Sequence, residues 1–347
     1  MSLAFPQQPH WLNSPRIWAS AMLVSGLLAV SIPLSLGERL QYLLKTSIHE
    51  HSWEARSLWL PDYRVVIEAQ PVATVEDNLS GLTYDEQRDH LWAVVNNPEE
   101  LLALGKDGSF IARYPLEGFS DVEGITYLGD GLLVVVEERS HALVIIPVPV
   151  QPGALRREDY QSFTVGTPDG DNEGFEGVGY DRAGDRLFVV KEHSPRELYE
   201  VRGVKASQGG PLDLTVIDRN AWLADKDMAR DLSSVHFDEQ TGHLLLLSDD
   251  AKMMLELDSQ GALVSFRSLW RGLAGLENSV PQAEGMTLDD QGNLYLVSEP
   301  NLFYSFQRPR TSAVQPRRIS QTPANIRSSP ATLPLLIGDS RNPAQPK

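Results

Sequence analysis

Short apolar runs alternate with turn-forming residues through most of the chain, and the same arrangement returns five times. Each copy opens with a short strand that follows a glycine or its replacement, and these strands read LTYD, ITYL, VGYD, VHFD and MTLD. A polar turn leads to an apolar second strand, and a third strand follows after another turn. Four copies continue into an extended segment: FIARYPL, YQSFTV, LTVIDR and LVSFRSL. Short strands separated by turn signals predict an all-β fold.

The spacing of the copies predicts a β-propeller. Their glycines lie 43 to 57 residues apart, with Ser234 taken as the equivalent in the fourth copy, and four strands at such a period are typical of a propeller blade. The fifth copy lacks its fourth strand, but an upstream stretch at 63–72 can supply it and close the ring. We therefore predict a five-bladed propeller with NHL-like four-stranded blades over residues 61–306, closed by an N-terminal strand. Two inserts interrupt it, a helical one at 220–231 and a loop at 270–281.

The two ends of the chain differ from this middle part. Residues 17–36 carry no charge over twenty positions, which is the length of a membrane-crossing helix. We predict an N-terminal flank at 1–16, a single transmembrane anchor at 17–36 and a juxtamembrane linker at 37–60; a cleaved signal peptide and a buried soluble helix are the alternatives. Residues 307–347 hold seven prolines and few large apolar residues, which predicts a disordered basic tail.

Charge separates the middle of the chain from its ends. The net charge is −17; residues 1–60 carry +1 and residues 307–347 carry +6, which leaves −24 for residues 61–306. So acidic a surface argues against nucleic acid as a partner, because phosphate contacts need basic residues. It is compatible with cation binding and also with solubility alone. The chain has no cysteine, which excludes disulfides and cysteine metal sites.

Acids and small polar residues recur at two positions of each copy. In a propeller the innermost strands line the central channel, so the residues before the glycines are expected at one rim of it. These residues are Ser80, Glu123, Glu176, Ser233 and Glu284. The second strands end on the same face, where the repeat frame places Asn97, Glu138, Glu192, Asp249 and Glu299.

Seven carboxylates around one narrow opening repel one another, by about 3 kcal/mol per pair at a separation near 6 Å and an effective dielectric near 20. Either several are protonated, with raised pKa values, or a cation lies among them. Oxygen ligands without histidine or cysteine favour Ca²⁺. We predict a Ca²⁺ site formed by Glu123, Glu138, Glu176, Glu192, Asp249, Glu284 and Glu299; solvated rim acids are the alternative. Two histidines near the rim, His141 and His193, are candidates for a general base or for plain polar surface.

Four stretches resemble the SdiA-regulated (YjiK-like) family: NLSGLTYD, GFEGVGYD, VVKEHSPRELYEV and PQAEGMTLDDQGNLYLVSEPNLFYSF. The resemblance implies a five-bladed propeller distantly similar to NHL-repeat propellers, a calcium site, and association with the inner membrane of a Gram-negative bacterium, with the propeller on the periplasmic side. The resemblance implies no settled activity. It implies a metal role for Glu123, Glu176, Glu192, Glu284 and Glu299, whereas Glu138 and Asp249 rest on the repeat frame.

Three classes of function stay open. The first is a membrane-anchored, calcium-binding propeller that recognises a small ligand or a protein at its acidic face. The second is a Ca²⁺-dependent hydrolase of the lactonase, esterase or phytase kind, in which the metal polarises an ester or phosphoryl oxygen. The third is a scaffold in which the channel acids are incidental. Fold analogy does not establish catalysis, so we favour the binding module and assign no catalytic residue.

Overall fold

The computed structural model describes residues 46, 52, 53, 56–165, 174–193, 195–224, 226 and 229–308. The predicted membrane segment and all but the start of the predicted tail lie outside these residues. The chain divides into two compact units, Met1–Ile48 and His49–Lys347, and the second contains every strand described below. In the part of the chain that the structure describes, no helix is both long enough and apolar enough to span a bilayer.

Twenty-one strands of the described residues form five sheets arranged as propeller blades, which confirms the predicted all-β architecture. The innermost strands of blades 1 to 5 are β2 (Leu79–Asp85), β6 (Val122–Gly129), β11 (Phe175–Asp181), β15 (Ser234–Asp238) and β19 (Gln282–Leu288). The second strands are β3 (His90–Val95), β7 (Leu132–Glu137), β12 (Arg186–Lys191), β16 (His243–Ser248) and β20 (Leu294–Glu299). Each inner strand contacts the inner strands of the two neighbouring blades, so the blades form a closed ring.

The outer half of each blade also follows the predicted pattern. The third strands are β4 (Glu100–Leu104), β8 (Ala142–Pro147), β13 (Glu197–Arg202), β17 (Met253–Leu257) and β21 (Leu302–Gln307). The outermost strands are β5 (Phe110–Glu117), β10 (Ser162–Thr164), β14 (Thr215–Asp218), β18 (Leu263–Ser268) and, in blade 5, β1 (Arg64–Pro71). A two-residue strand, β9 (Leu155–Arg156), pairs in parallel with β5 at the edge of blade 1. The insert at 270–281 is a loop, as predicted.

Strand β1 closes the ring. It pairs antiparallel with β21, with Arg64 opposite Gln307 and Pro71 opposite Leu302. Blade 5 is therefore built from both ends of the propeller sequence, which confirms that the upstream strand completes the fifth copy. Main-chain hydrogen bonds between these two ends hold the ring closed.

The hydrophobic core lies in layers between adjacent blades. Trp92 and Val94 of blade 1, for example, belong to one buried cluster with Ile125 and Val135 of blade 2. Similar clusters join blades 2 and 3, blades 4 and 5, and blades 5 and 1. Because the second and third strands are covered on both faces, they read as continuous apolar runs rather than as alternating ones.

Of the insert at 220–231, predicted to be helical, only the start is helical among the residues that the structure describes. The structure has a 3₁₀ helix at Asn220–Leu223, and further along the Ala229 N–H bonds the Lys226 carbonyl, three residues back rather than four. The Trp222 ring lies directly over the glycine of the β17–β18 turn. Packing of the insert on the neighbouring blade thus outweighs its helix propensity, which is a weak determinant over so few residues.

The segment just before β1 is part of the folded domain, ahead of the predicted start of the propeller. The backbone N–H groups of Leu58 and Trp59 donate to the buried Glu256 carboxylate at 2.8 and 3.1 Å. The buried Arg267 guanidinium donates to the Tyr63 carbonyl oxygen at 2.6 Å, and burial lowers the pKa of Arg267 to about 10. Two charged side chains of blade 4 therefore fasten this segment to the propeller.

Candidate functional site

Glycine follows the glutamate in the inner strands because neighbouring inner strands touch at this level. A Cβ on Gly81 would lie 2.6 Å from the Glu123 carbonyl oxygen, and a Cβ on Gly124 would lie 2.6 Å from the Glu176 carbonyl oxygen. Gly285 meets blade 1 at the same distance of 2.6 Å. No side chain fits there, so glycine is required by close backbone approach. The contacts bring the residues that precede the glycines into one ring at the face where the inner strands begin, which we call the acidic face.

Blade 4 joins this ring through serines instead of a glycine. The Ser233 hydroxyl donates to the Ala283 carbonyl oxygen at 2.7 Å, and the Ser234 hydroxyl accepts from the Met286 N–H at 3.3 Å. Both bonds join blade 4 to blade 5. Side-chain hydrogen bonds therefore replace the direct backbone contact, which explains why the fourth copy keeps the repeat frame without its glutamate or glycine.

The three inner-strand glutamates form one electrostatic group with the acids beside them. The pKa of Glu123 is raised to about 8, first by burial and then by the charges of neighbouring acids that include Glu138 and Glu299. Burial raises the pKa of Glu176 well above its usual value, with Glu123 and Glu138 as the next contributors. Burial and the charge of Glu123 do the same for Glu284. The acids are thus close enough to oppose one another's ionisation.

The predicted acids at the ends of the second strands lie at the same face. Burial is the first cause of a raised pKa at each of them, and the value for Glu138 is about 7. These residues are Glu138, Glu192, Asp249 and Glu299. All seven predicted acids therefore belong to one acidic opening in which the charged forms are disfavoured.

In blade 1 the residue that follows the second strand is Asn96, so the prediction of Asn97 at this position is wrong by one residue. Asn96 follows the last paired residue of β3, as Glu138 follows the last paired residue of β7. The Asn96 side-chain amide donates to Glu123 Oε1, whereas Asn97 is exposed. Two asparagines are adjacent here, so the sequence alone does not show which of them lies at this position. The pairing of the strands decides it.

The sequence-based prediction missed Asp121. One carboxylate oxygen from each of Asp121, Glu123 and Glu138 lies within 4.8 Å of the other two. Asp121 has a left-handed backbone, with φ 59°, a conformation that aspartate tolerates better than most residues. Its Oδ2 is buried and lies 2.9 Å from Arg139 Nε, without the alignment of a hydrogen bond. Three carboxylates therefore meet with one partly solvated arginine beside them.

Asp121 lies at a third position of the repeat whose members could have been identified from the sequence. The third position before each glycine, or Ser234, holds Asn78, Asp121, Gly174, Asp231 and Gln282. In blade 4, Asp231 is buried and accepts from the N–H groups of Asp249 and Asp250 at 2.8 and 3.0 Å. In blade 4 this residue therefore holds the loop after the second strand through hydrogen bonds. In blade 2 the equivalent residue, Asp121, adds a carboxylate to the acidic opening.

Two of the predicted acids contact a basic side chain of their own blade. Asp249 Oδ1 accepts from the Ala283 N–H at 2.7 Å and from Lys252 Nζ at 2.6 Å. Glu192 Oε2 lies 3.1 Å from His193 Nδ1. A cation bound at these two carboxylates would therefore compete with the basic side chains beside them.

The two histidine candidates have different surroundings. His141 is buried with its ring centroid 4.7 Å from that of Phe175, which is a packing position. His193 is partly exposed at the rim, with Nε2 3.7 Å from Asp250 Oδ2. Burial lowers the pKa of His193, but Glu192, Asp231 and Asp250 together outweigh burial, so the pKa of His193 is raised. Of the two, His193 is the one placed to exchange a proton with a ligand.

The donor set at Asp121, Glu123 and Glu138 fits a hard divalent cation. An ion about 2.4 Å from each ligand can have ligand oxygens at most about 4.8 Å apart, and the three carboxylate oxygens lie within 4.8 Å of one another. The Asp121 carboxylate helps to raise the pKa of Glu138 and so favours a proton on Glu138. A cation would replace that proton, because both neutralise the same group of oxygens.

Two solved structures are similar to this chain at low sequence identity. A chain of a nidogen–laminin complex is 11% identical over 64% of this chain and 73% of its own length, with a TM-score of 0.40. A gluconolactonase from Xanthomonas campestris is 13% identical over 73% of this chain and 92% of its own length, with a TM-score of 0.41. Both scores are low, so the blade count and the site rest on the strands of this chain.

The sequence of the folded unit identifies the family. The match to the sequence model of SdiA-regulated proteins runs over residues 55–307. It begins at the segment that Glu256 and Arg267 fasten to blade 4, and it ends with β21. It therefore spans the whole propeller, and the chain belongs to the SdiA-regulated family.

Proposed function

We propose that this protein binds Ca²⁺ at the acidic face and uses that face to recognise a small ligand or a protein. The observation that carries the proposal is the approach of three carboxylate oxygens, from Asp121, Glu123 and Glu138, to within 4.8 Å of one another. Without a cation these groups stay neutral only by holding protons, because burial raises the pKa of Glu123 to about 8 and that of Glu138 to about 7. Nearby Glu176 and Glu284 add negative charge to the opening when they ionise.

The type of ligand follows from the coordination that Ca²⁺ prefers. Calcium takes about six to eight oxygen ligands, and the three carboxylates account for part of that number. A bound ion would leave positions for oxygens of a partner, such as a carboxylate, phosphate or carbonyl group. The acidic face is thus suited to a partner that supplies oxygens and carries no large negative charge elsewhere on its contact surface.

We also propose that the protein is held at the bacterial inner membrane with its propeller in the periplasm. The support is the uncharged stretch at 17–36, whose length matches a bilayer span, together with the membership of the family. Fractionation of cells expressing the full chain, followed by protease treatment of intact and permeabilised spheroplasts, tests both points. Recovery of the full chain in the soluble fraction would contradict the anchor.

The cation proposal is tested by thermal melts of the full chain in EDTA and after addition of Ca²⁺ or Mg²⁺. Ca²⁺ binding to the folded state alone raises the melting temperature in proportion to the logarithm of its concentration. We expect a larger rise with Ca²⁺ than with Mg²⁺. Equal melting temperatures in EDTA and in millimolar Ca²⁺ would contradict the proposal.

A second candidate function, hydrolysis, is supported by His193. Its contact of 3.1 Å with Glu192 Oε2 favours a proton on Nδ1, so in the neutral ring Nε2 would be the acceptor near the acidic opening. A bound calcium ion would supply positive charge to polarise an ester or phosphoryl oxygen. Assays of lactone, ester and phosphate substrates with Ca²⁺, using the parent and His193→Gln, test this. We expect the variant to lose any turnover found; no turnover by the parent, or equal turnover by both, would remove this candidate.

A further inference from the structure

The inner strands end at the face opposite the acidic one, which we call the far face. The residue five positions after each frame glycine, or after Ser234 in blade 4, stands at this end. These residues are Glu86, Gly129, Arg182, Glu239 and Asp290. Blade 3 therefore contributes an arginine where three other blades contribute acids and blade 2 contributes a glycine.

Arg182 contacts three blades besides its own. Its guanidinium donates to Glu86 of blade 1, and its backbone N–H donates to Glu239 Oε1 of blade 4 at 2.6 Å. Its methylene groups pass over blade 2, where a Cβ on Gly129 would lie 3.1 Å from Arg182 Cδ. Blades 1 and 3 are not neighbours in the ring. The side chain therefore extends across the end of the channel to join them.

Blade 5 completes the connection at the far face. The Gln240 side-chain amide of blade 4 donates to the Asp290 carbonyl oxygen at 2.9 Å. The Tyr84 hydroxyl of blade 1 lies 3.4 Å from Asp290 Oδ1. Together with the contacts of Arg182, these bonds join the ends of all five inner strands, so polar groups encircle the end of the channel with the guanidinium among them.

The channel above Arg182 contains an imidazole. His236 lies on β15, and its Nδ1 is 3.5 Å from the Thr287 hydroxyl of β19. It retains accessible surface although it lies deep in the protein, where burial and then the positive charge of Arg182 lower its pKa to about 4. A side chain that is both deep and accessible faces an internal space. This space lies between the acidic opening and Arg182.

We propose that Arg182 closes the channel at the far face, so that the channel is a pocket rather than a pore. The guanidinium blocks the opening by its size, and its positive charge repels the cations that the acidic face attracts. Exchange between the internal space and the solution then takes place at the acidic face. The proposal concerns the opposite end of the channel from the cation site and requires no bound cation.

The absence of cysteine makes a direct test available. His236→Cys places a single thiol in the internal space, and its reaction with 2-aminoethyl methanethiosulfonate is followed by mass spectrometry in EDTA. In the parent the reagent enters at the acidic face alone, so we expect Arg182→Ala to raise the reaction rate by about twofold or more, because it opens a second route to the thiol. Arg88→Ala, which removes an arginine bound to Asp85 on the same face, is the matched control and should leave the rate unchanged.

A second variant separates closure from stability. Glu86→Gln with Glu239→Gln keeps the arginine and removes its charged partners, so the rate should rise here too, while circular dichroism shows whether the fold is retained. If Arg182→Ala does not fold, this double variant decides the question. A rate that equals the parent rate in the folded variants would overturn the proposal. Because the assay is run in EDTA, that result would leave the calcium proposal standing.

Discussion

Gly124 lies against Glu176 of the neighbouring inner strand so closely that a Cβ on Gly124 would be 2.6 Å from the Glu176 carbonyl oxygen. This contact explains both halves of the recurring glutamate–glycine pair. The glycine allows adjacent backbones to touch. The touching backbones hold the glutamates of different blades within one small opening. Fold and site therefore depend on the same contact.

Gly177→Ala should destabilise the protein by about 3 kcal/mol, because the new methyl group would lie 2.6 Å from the Ser234 Cα. Urea unfolding followed by circular dichroism measures the change. Gly210→Ala is the matched control, since nothing lies within 4 Å of a Cβ at that position, and it should stay within about 0.5 kcal/mol of the parent. Equal stability of the two variants would contradict the close approach of the inner strands.

Glu123→Gln should act in opposite directions with and without Ca²⁺. In EDTA at pH 8.5 the variant should be at least as stable as the parent, because it removes a buried carboxylate that is costly to ionise. With Ca²⁺ it should lose most of the rise in melting temperature. Glu158→Gln, at an exposed position away from the acidic opening, should keep that rise. A full rise in Glu123→Gln would remove this residue from the cation site.

Stability without cations should fall as the pH rises. The pKa values of Glu123, about 8, and Glu138, about 7, lie above the ordinary value of 4.5, so the folded state binds more protons than the unfolded state between these limits. Stability is then greatest near pH 4.5 and decreases towards pH 8. Melts in EDTA from pH 5 to pH 8.5 should show this slope, and saturating Ca²⁺ should flatten it. A slope of opposite sign would contradict the raised pKa values.

Glu256→Gln should weaken the attachment of the segment before β1. The carboxylate accepts hydrogen bonds from Leu58, Trp59 and Ser265 and contacts His243 Nδ1 at 2.7 Å. Loss of the charge from this buried group should cost about 2 kcal/mol. Urea unfolding of the full chain measures it, and Glu158→Gln again serves as the control. A variant with parental stability would mean that the segment is held by its apolar contacts.

Much of the fold could be predicted because each blade repeats its own pattern of apolar strands and turns. Blade count, strand order and the closing role of the stretch at 63–72 all followed from that repetition. The type and extent of the helix in the insert at 220–231 could not be predicted, because they depend on packing against blade 4. The membrane segment at 17–36 and the tail stay predictions.

The site residues could be predicted only where one position of the repeat holds the same type of residue in several blades. The position before the glycine holds Glu123, Glu176 and Glu284. The acids after the second strands were found by aligning the copies on that glycine. Asp121 was missed because its position in the repeat holds different residue types in different blades. Asn96 was missed because only the strand register decides which of two adjacent asparagines lies at the site. Arg182 was missed because its contacts join blades far apart in the sequence.

The most direct test of the central claim is calorimetric titration of Ca²⁺ into the full chain at pH 7, with Glu158→Gln and Glu123→Gln as the paired variants. We predict a saturable site in the parent and in Glu158→Gln. The heat should depend on the ionisation enthalpy of the buffer, because Ca²⁺ displaces protons from Glu123 and Glu138. Glu123→Gln should bind at least about tenfold more weakly. No saturable heat in the parent, or equal affinity in all three proteins, would contradict a cation site at the acidic face.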